Sequence, residues 1–299
     1  MSQIELVIES RRKDLGGFEV GRLLPHAKRR MIGPFVFLDH MGPASFPAGI
    51  PKAMDVRPHP HVGLSTLTYL FGGQITHRDS LGFHQEIRPG EVNWMTAGAG
   101  ITHSERFEHI RAHGGPLHGV QAWVALPAAD EDCAPAFDHY GRDVLPTYES
   151  GGLWARLVAG KAFGADTPVA VHSPLFYVHW KLTAGTQAQL PAEYPERGAF
   201  IVSGAVQIGD ETFESGRLLV FKPGEPVMFT AKPQAEMILL GGEPVGPRLI
   251  DWNFVASTQE RLDAARERWR SGGFVLPVGD DREWTPYPGD PESAPPAMS

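Results

Sequence analysis

The chain of 299 residues lacks the features of a disulfide scaffold, a membrane protein or a nucleic-acid binder. Its one cysteine, Cys133, excludes an intrachain disulfide and any dependence on an oxidising compartment. No run approaches the ~18 apolar residues of a membrane span, and the N-terminus has no signal-peptide core. The net charge of −8 argues against a broad phosphate-binding face. We therefore expect a cytoplasmic protein with no membrane and no direct nucleic-acid partner.

Glycine and proline are abundant, with 34 and 27 residues, and they punctuate short segments in which apolar and polar residues alternate. Segments such as "PFVFLDH", "LSTLTYL" and "GEVNWMTAG" have the period of two that is typical of β-strands. "FGGQ" at 71–74 predicts a turn between two of them. The fold class predicted is all-β.

A weak internal repeat indicates that one small β unit is used twice. Each copy has a strand, a glycine-containing turn, a second strand and then a "PGE" turn, at 89–91 and at 223–225. We predict two similar barrels, with domains at 1–130 and 131–299.

The second domain is predicted to end in a helix and a proline-rich tail. Ser257 and Glu260 form a capping box, and Leu262, Ala265 and Trp269 share one helical face. This helix is interpreted as packing rather than chemistry.

Two pairs of residues with metal-binding side chains carry the functional signal. His59 and His61 lie in "RPHPHVG", and His103 and Glu105 lie in "AGAGITHSE". Prolines disfavour helix in the first segment, and residues i and i+2 of a strand point to the same side. If the two strands are neighbours, three imidazoles and one carboxylate converge, a set suited to a divalent first-row metal with open positions for a substrate.

The alternative for a single H-x-H is a pair of surface or hydrogen-bonded histidines. Two such pairs on strand candidates of one β domain favour the metal site instead. His77 and His84 could lie nearby, but we interpret them as turn residues.

The stretch "HPHVGLSTLTYLFGGQITHRDSLG...IRPGEVNWMTAGAGITHSE" resembles the signature region of the pirin family of bicupins. "GPFVFLDHMGP" and "GGEPVGPRLIDWNFVASTQERLDAARERW" are similar to its early strand and its C-terminal region. The resemblance implies two cupin barrels packed face to face, a metal in the N-terminal barrel and a metal-free C-terminal barrel. It carries the family's ligands onto His59, His61, His103 and Glu105 and implies Fe(II), with other divalent first-row metals left open.

The resemblance also implies an enzyme, a dioxygenase that cleaves flavonols such as quercetin. The metal would bind the 3-hydroxyl of this small aromatic substrate, and Glu105 would be the catalytic base. The alternative is a non-enzymatic, iron-dependent redox sensor or co-regulator with a protein partner. Turnover of oxygen distinguishes the two.

The surroundings of the site differ from the family pattern at two positions and include four candidates for an apolar wall. Ser65 stands where the family often has glutamate, which is expected to alter the surroundings of the metal without removing it. Val62 replaces a common arginine, which predicts a less basic entrance. The candidates for an apolar wall, for which core packing is the alternative, are Phe37, Leu64, Trp94 and Met95.

Overall fold

The computed structural model describes residues 3–14 and 17–291; the last eight residues of the predicted tail lie outside it. The first thirteen strands are β1 (Ile4–Glu9), β2 (Arg11–Asp14), β3 (Glu19–Leu24), β4 (Phe35–Phe46), β5 (Val56–His61), β6 (Leu64–Gly72), β7 (Ile75–Asp79), β8 (His84–Ile87), β9 (Val92–Thr96), β10 (Ile101–Arg106), β11 (Gly115–Ala125), β12 (Ala136–Tyr140) and β13 (Thr147–Ser150). The others are β14 (Leu153–Ala162), β15 (Ala165–Asp166), β16 (Leu175–Leu182), β17 (Gln187–Leu190), β18 (Glu196–Ser203), β19 (Ala205–Ile208), β20 (Glu211–Glu214), β21 (Arg217–Phe221), β22 (Val227–Ala231), β23 (Ala235–Gly242), β24 (Leu249–Asp251) and β25 (Phe254–Ala256). The helices are α1 (Glu108–His113) and α2 (Gln259–Arg270), with a 3-10 turn at Lys52–Met54. The predicted all-β class is confirmed.

The residues cluster into two compact units, and each unit is assembled from separate parts of the chain. Unit A contains Lys13–Val20, His40–His139 and the chain from Gly246 onward. Unit B contains Gly21–Asp39, Tyr140–Val245 and the N-terminal residues through Arg12. The division of the repeats at residue 130 stays a prediction, since the contact clusters do not follow one boundary along the chain.

Unit B contains two sheets that share an apolar core. The larger sheet has the strand order β1-β21-β18-β23-β16-β14-β13, and the smaller has β17-β22-β19-β20. Buried residues of both sheets, among them Trp180, Met237 and Phe229, belong to one hydrophobic cluster. β1 is part of this unit because it pairs with β21 from Ile4 to Glu9.

Unit A has a four-stranded sheet in the order β5-β10-β7-β8. A further sheet pairs β6 with β9 and with β11. The turn between β5 and β6 requires glycine, since Gly63 has φ +68° and an added Cβ would lie 2.0 Å from the carbonyl oxygen of Val255. That close approach seats the C-terminal strand β25 against the end of β5.

The C-terminal helix is confirmed, and it packs in unit A. Leu262, Ala265 and Trp269 are buried together with Phe254 of β25. The predicted cap is wrong by one residue: the helix begins after Thr258, and the Ser257 hydroxyl donates to Glu131 at 2.7 Å instead. No helix among the described residues is long and apolar enough to cross a membrane.

Candidate metal centre

Strands β5 and β10 bring three of the four predicted ligands together. The strands are antiparallel, and His103 lies directly opposite His59. The ring centroids are 4.4 Å apart for His59 and His103, and 5.0 Å apart for His61 and either of the other two. A ligand nitrogen of each residue lies within 4.8 Å of those of the other two, and all three side chains are buried. This is the spacing at which three imidazoles can share one metal ion.

Each of the three rings has its Nδ1 held, which leaves Nε2 for a ligand. Nδ1 of His59 donates to the carbonyl of Arg57 at 2.9 Å, and Nδ1 of His61 donates to the carbonyl of Asn253 at 3.1 Å. Nδ1 of His103 faces a fourth histidine, His77. The Nε2 atoms of His61 and His103 are buried and have no hydrogen-bond partner. Buried polar atoms normally have partners, so this donor set fits a divalent metal ion.

The electrostatics of the cluster favour the ligating state of the rings. Burial lowers the pKa of His59 to about 4. The pKa values of His61 and His103 are also held well below the usual range, first by burial and then by the neighbouring His59. All three imidazoles are therefore neutral at pH 7, which is the state in which histidine binds a metal.

Glu105 lies on the same strand as His103 but outside the group of three. The pairing of β10 with β5 shifts register between His103 and Glu105, so Glu105 lies opposite Val56. The extra residue lies in β5, because the pairing of β10 with β7 is regular from His103 to Glu105. Burial raises the pKa of Glu105 to about 7, against a hydrogen bond from Gln121. The role of Glu105 as a ligand or base stays a prediction.

The face of the β6-β9-β11 sheet that carries Gln121 also carries Trp123, and neither residue was singled out from the sequence. Trp123 lies edge-on to His61, with ring centroids 5.1 Å apart. Thr66 of β6 pairs with both Trp123 and Met95, so these three residues share one face. A signal was available, because Gln121 is a polar residue in the otherwise apolar strand "VQAWVA".

Two of the four residues predicted for the apolar wall lie on the face that carries Trp123, and two do not. Leu64 and Met95 lie on the face that carries Trp123, whereas Trp94 pairs with Leu67 on the opposite face. Phe37 belongs to unit B, where the Arg22 guanidinium lies 4.5 Å from its ring centroid.

The two departures from the family pattern have contacts of their own. Ser65 shares the face of Trp94, and its hydroxyl hydrogen-bonds to Thr96 at 3.1 Å. Val62 packs on the C-terminal cluster around Phe254, and its effect on the charge of an entrance stays a prediction.

His77 is not a turn residue, contrary to the expectation from sequence. It lies in β7, is 4% exposed, and neighbours His103 with ring centroids 5.2 Å apart. The segment "THRD" has the same i, i+2 spacing of polar residues as the two ligand pairs, which is the signal that could have identified it. His84 is not a turn residue either, since it begins β8, but unlike His77 it is exposed.

The C-terminal segment secures both ligand strands from outside. Asp280 accepts two hydrogen bonds from Arg106, at 2.6 and 2.8 Å, and one from Ser104 at 2.6 Å. The backbone N–H of Thr285 donates to the carbonyl of Pro58 at 2.8 Å. Ser104 and Pro58 are immediate chain neighbours of His103 and His59, so the last part of the described chain helps to hold the candidate centre.

Comparison with known proteins gives consistent matches. The model of the family "Pirin" matches residues 17–124, and that of the "Pirin C-terminal cupin domain" matches residues 177–275. A "Pirin-like protein" of Caulobacter vibrioides is 59% identical over 95% of this chain and 99% of its own length. A crystal structure named quercetin 2,3-dioxygenase from Acinetobacter baumannii is 36% identical, with a TM-score of 0.88 over 97% of both chains.

A more distant structure shares the fold. The bacterial pirin YhhW of Escherichia coli, solved in complex with nickel(II), is 20% identical and covers 80% of this chain and 99% of its own, with a TM-score of 0.62. The two-cupin fold predicted from the sequence is confirmed by these matches. With two family models that together cover more than half of its length, the chain belongs to the pirin family.

Proposed function

We propose that this protein is a cytoplasmic, Fe(II)-dependent dioxygenase that acts on flavonols such as quercetin. The observation that carries the proposal is the convergence of three buried, neutral imidazoles, two of which have a buried Nε2 atom without a hydrogen-bond partner. The similar Acinetobacter baumannii structure bears the name of this activity. The nickel(II) in the Escherichia coli pirin supports a divalent metal at the centre of this fold.

His59, His61 and His103 would hold the metal through Nε2. A divalent metal at this position supplies a Lewis acid that lowers the pKa of a bound substrate hydroxyl. Three neutral nitrogen ligands leave the charge of the metal largely uncompensated and leave coordination positions open, which suits an anionic oxygen of the substrate.

Glu105 would be the base that removes the proton of the flavonol 3-hydroxyl, and it completes the ligand set when its carboxylate reaches the metal. Its carboxyl is anchored by the amide of Gln121 on the facing sheet. That anchor restricts the carboxyl to one side of the three imidazoles, where a general base must lie within hydrogen-bond reach of its substrate.

The aromatic part of the substrate would pack on the face that carries Trp123 and Met95. Trp123 lies edge-on to His61, so a planar ring beside the metal would meet apolar surface on that side. Such a wall excludes water from the site and selects for flat, apolar ligands.

The test is oxygen uptake and loss of flavonol absorbance when quercetin is added to protein loaded anaerobically with Fe(II). We expect stoichiometric consumption of oxygen and quercetin, abolished by His103→Ala and retained by His179→Ala, a matched change of a buried histidine in unit B. Firm metal binding without turnover would contradict the enzymatic proposal. It would favour the sensor or co-regulator, and a pull-down for its protein partner would follow.

A further inference from the structure

A chain of three buried side chains reaches from β7 to the candidate metal ligand on β10. Nε2 of His77 lies 2.8 Å from Oδ2 of Asp79, and Nδ1 of His77 lies 3.3 Å from Nδ1 of His103. The exposed fractions of Asp79, His77 and His103 are 0%, 4% and 1%. The antiparallel pairing of the two strands sets His103 directly opposite Asp79.

With both imidazoles neutral, the donors and acceptors along this chain allow one arrangement of the protons. Oδ1 of Asp79 accepts the backbone N–H groups of Leu81 and Phe83, at 2.9 and 3.1 Å, which fixes the carboxylate. Oδ2 then accepts the Nε2–H of His77, so Nδ1 of His77 carries a lone pair. That lone pair accepts the Nδ1–H of His103, and Nε2 of His103 is left with the lone pair that a metal requires.

We infer that His77 and Asp79 are positioning residues that set the tautomer and the ring orientation of His103 for a divalent metal ion. The inference rests on the metal centre of the proposed function. His59 and His61 obtain the same tautomer from backbone carbonyls, whereas His103 obtains it from a side chain. Phe137 stacks on His77, with centroids 4.2 Å apart and planes inclined by 13°, and resists rotation of that ring.

The substitution Asp79→Asn tests this hydrogen-bonded series because it keeps the shape of the side chain but reverses the direction of the hydrogen bonds. The two backbone N–H groups hold the amide oxygen of Asn at the Oδ1 position, so its NH2 group faces His77. His77 must then accept with Nε2 and carry its proton on Nδ1. His103 must in turn accept with Nδ1 and become protonated on Nε2, the atom that should bind the metal.

Two substitutions of His77 separate the hydrogen bond from packing. In His77→Asn the amide oxygen takes the place of Nδ1 and still accepts from His103. In His77→Phe an aromatic ring still stacks on Phe137, but Nδ1–H of His103 loses its acceptor. We expect His77→Asn to bind the metal more tightly than His77→Phe. If His77 acted only by packing, the order would be reversed.

The experiment has two readouts, of which the first needs no metal. Two-bond 15N–1H correlation spectra of metal-free protein with 15N-labelled histidine report which ring nitrogen carries the proton. We expect His103 to be protonated at Nδ1 in the wild type and at Nε2 in Asp79→Asn, with His59 unchanged in both. Persistence of the Nδ1–H form of His103 in Asp79→Asn would overturn the inference.

The second readout is the affinity for Zn(II), measured by competition with a fluorescent chelator. We expect Asp79→Asn and His77→Phe to bind roughly 10–100-fold more weakly than the wild type, the usual range for loss of a group that orients a metal ligand. Glu236→Gln, which alters the carboxylate partner of buried His179 in unit B, should bind as the wild type does. An affinity within about twofold of the wild type in both Asp79→Asn and His77→Phe would also overturn the inference.

The design separates this inference from the proposed function. If the wild type fails to bind Zn(II), the metal centre itself is refuted, while the spectra still decide the direction of the hydrogen bonds. If Asp79→Asn does not fold, the order of the two His77 variants decides the question.

Discussion

The two units bury different kinds of side chain in β-sheets of similar plan. The core of unit B is a cluster of apolar residues from both of its sheets, including Phe176, Trp180 and Phe229. Unit A instead buries three imidazoles on β5 and β10, two of them with an Nε2 atom that has no partner. Burying such atoms is costly in the absence of a compensating bond. Nε1 of Trp180 in unit B is also buried without a partner, but an indole N–H has no lone pair for a metal, whereas the imidazole nitrogens of unit A form a clustered ligand set. Unit A is therefore built for a ligand.

Unit B does contain one buried histidine, and its environment sharpens the comparison. Nε2 of His179 hydrogen-bonds to Oε1 of Glu236 at 2.8 Å, and Lys181 lies 3.4 Å from the same oxygen. This nitrogen is already satisfied by protein atoms, whereas those of His61 and His103 are not. Burial of a histidine is therefore a poor sign of a metal site, and an unsatisfied Nε2 is a better one.

The largest expected effect is the loss of metal from unit A. His59→Ala, His103→Ala and Glu105→Ala should each release the metal or weaken its binding by orders of magnitude while the fold survives, because each removes a proposed ligand. Metal content after dialysis, measured by elemental analysis, checks this. His179→Ala is the matched control and should retain the metal. Full metal content in all three unit A variants would refute the ligand set.

The next effect should appear in the stability of unit B. Phe229 is fully buried in the apolar cluster, so Phe229→Ala should lower the free energy of unfolding by about 3–5 kcal/mol, the usual cost of such a cavity. Urea denaturation checks this. The neighbouring Met228 is 43% exposed, so Met228→Ala should stay within about 0.5 kcal/mol of the wild type. A change in metal affinity in folded Phe229→Ala would contradict the separation of packing from ligand binding.

The parts of this comparison that could be predicted from the sequence are those that depend on local geometry. Prolines around His59 and His61 favour an extended segment, and the period of two then puts both imidazoles on one side. The convergence with His103 followed from pairing two such strands. The C-terminal helix was likewise predictable from its apolar face, although its cap was displaced because Ser257 bonds to Glu131.

The parts that could not be predicted depend on register and on contacts distant in sequence. The shift between His103 and Glu105 is a property of the pairing with β5 and has no local signature. The carbonyl that orients His61 belongs to Asn253, which is 192 positions away along the chain. A histidine in "THRDS" is compatible with a turn until β7 is seen to lie beside β10.

The smallest expected effect is on the pH dependence of stability of the metal-free protein. It appears when one carboxyl of each unit is compared. Burial raises the pKa of Glu105 from 4.5 to about 7. For Glu236, burial acts in the same direction and is the largest single cause, but the hydrogen bonds and charges of His179 and Lys181 together outweigh it and hold the pKa below 4.5. The two carboxyls should therefore affect the pH dependence of stability differently.

The pKa of Glu105 is higher in the folded state than in the unfolded state, so protonated Glu105 stabilises the fold. This stabilisation is complete below pH 4.5 and is lost as the pH rises through about 7. The contribution of Glu236 is already complete above pH 4.5 and is lost only at lower pH. Between pH 5 and pH 8, the free energy of unfolding of Glu105→Gln should therefore rise relative to that of the wild type. The rise should be on the order of 1–2 kcal/mol after allowance for partial exposure. The difference between Glu236→Gln and the wild type should stay constant from pH 6.5 to pH 8, since the pKa of His179, the partner of Glu236, is lowered from 6.5.

His59 titrates in part of the same range with the opposite sign. Its pKa is lowered from 6.5 to about 4 on folding, so its contribution is complete above pH 6.5 and is lost as the pH falls through about 4. His61 and His103, whose pKa values are also lowered, contribute with the same sign as His59. In the wild type the trend of Glu105 opposes that of the three histidines between pH 4.5 and 6.5, and Glu105→Gln should reveal the histidine trend alone. Urea denaturation at pH 5, 6.5 and 8 measures all three proteins. Parallel pH profiles for Glu105→Gln and the wild type would contradict a raised pKa of Glu105, and with it this difference between unit A and unit B.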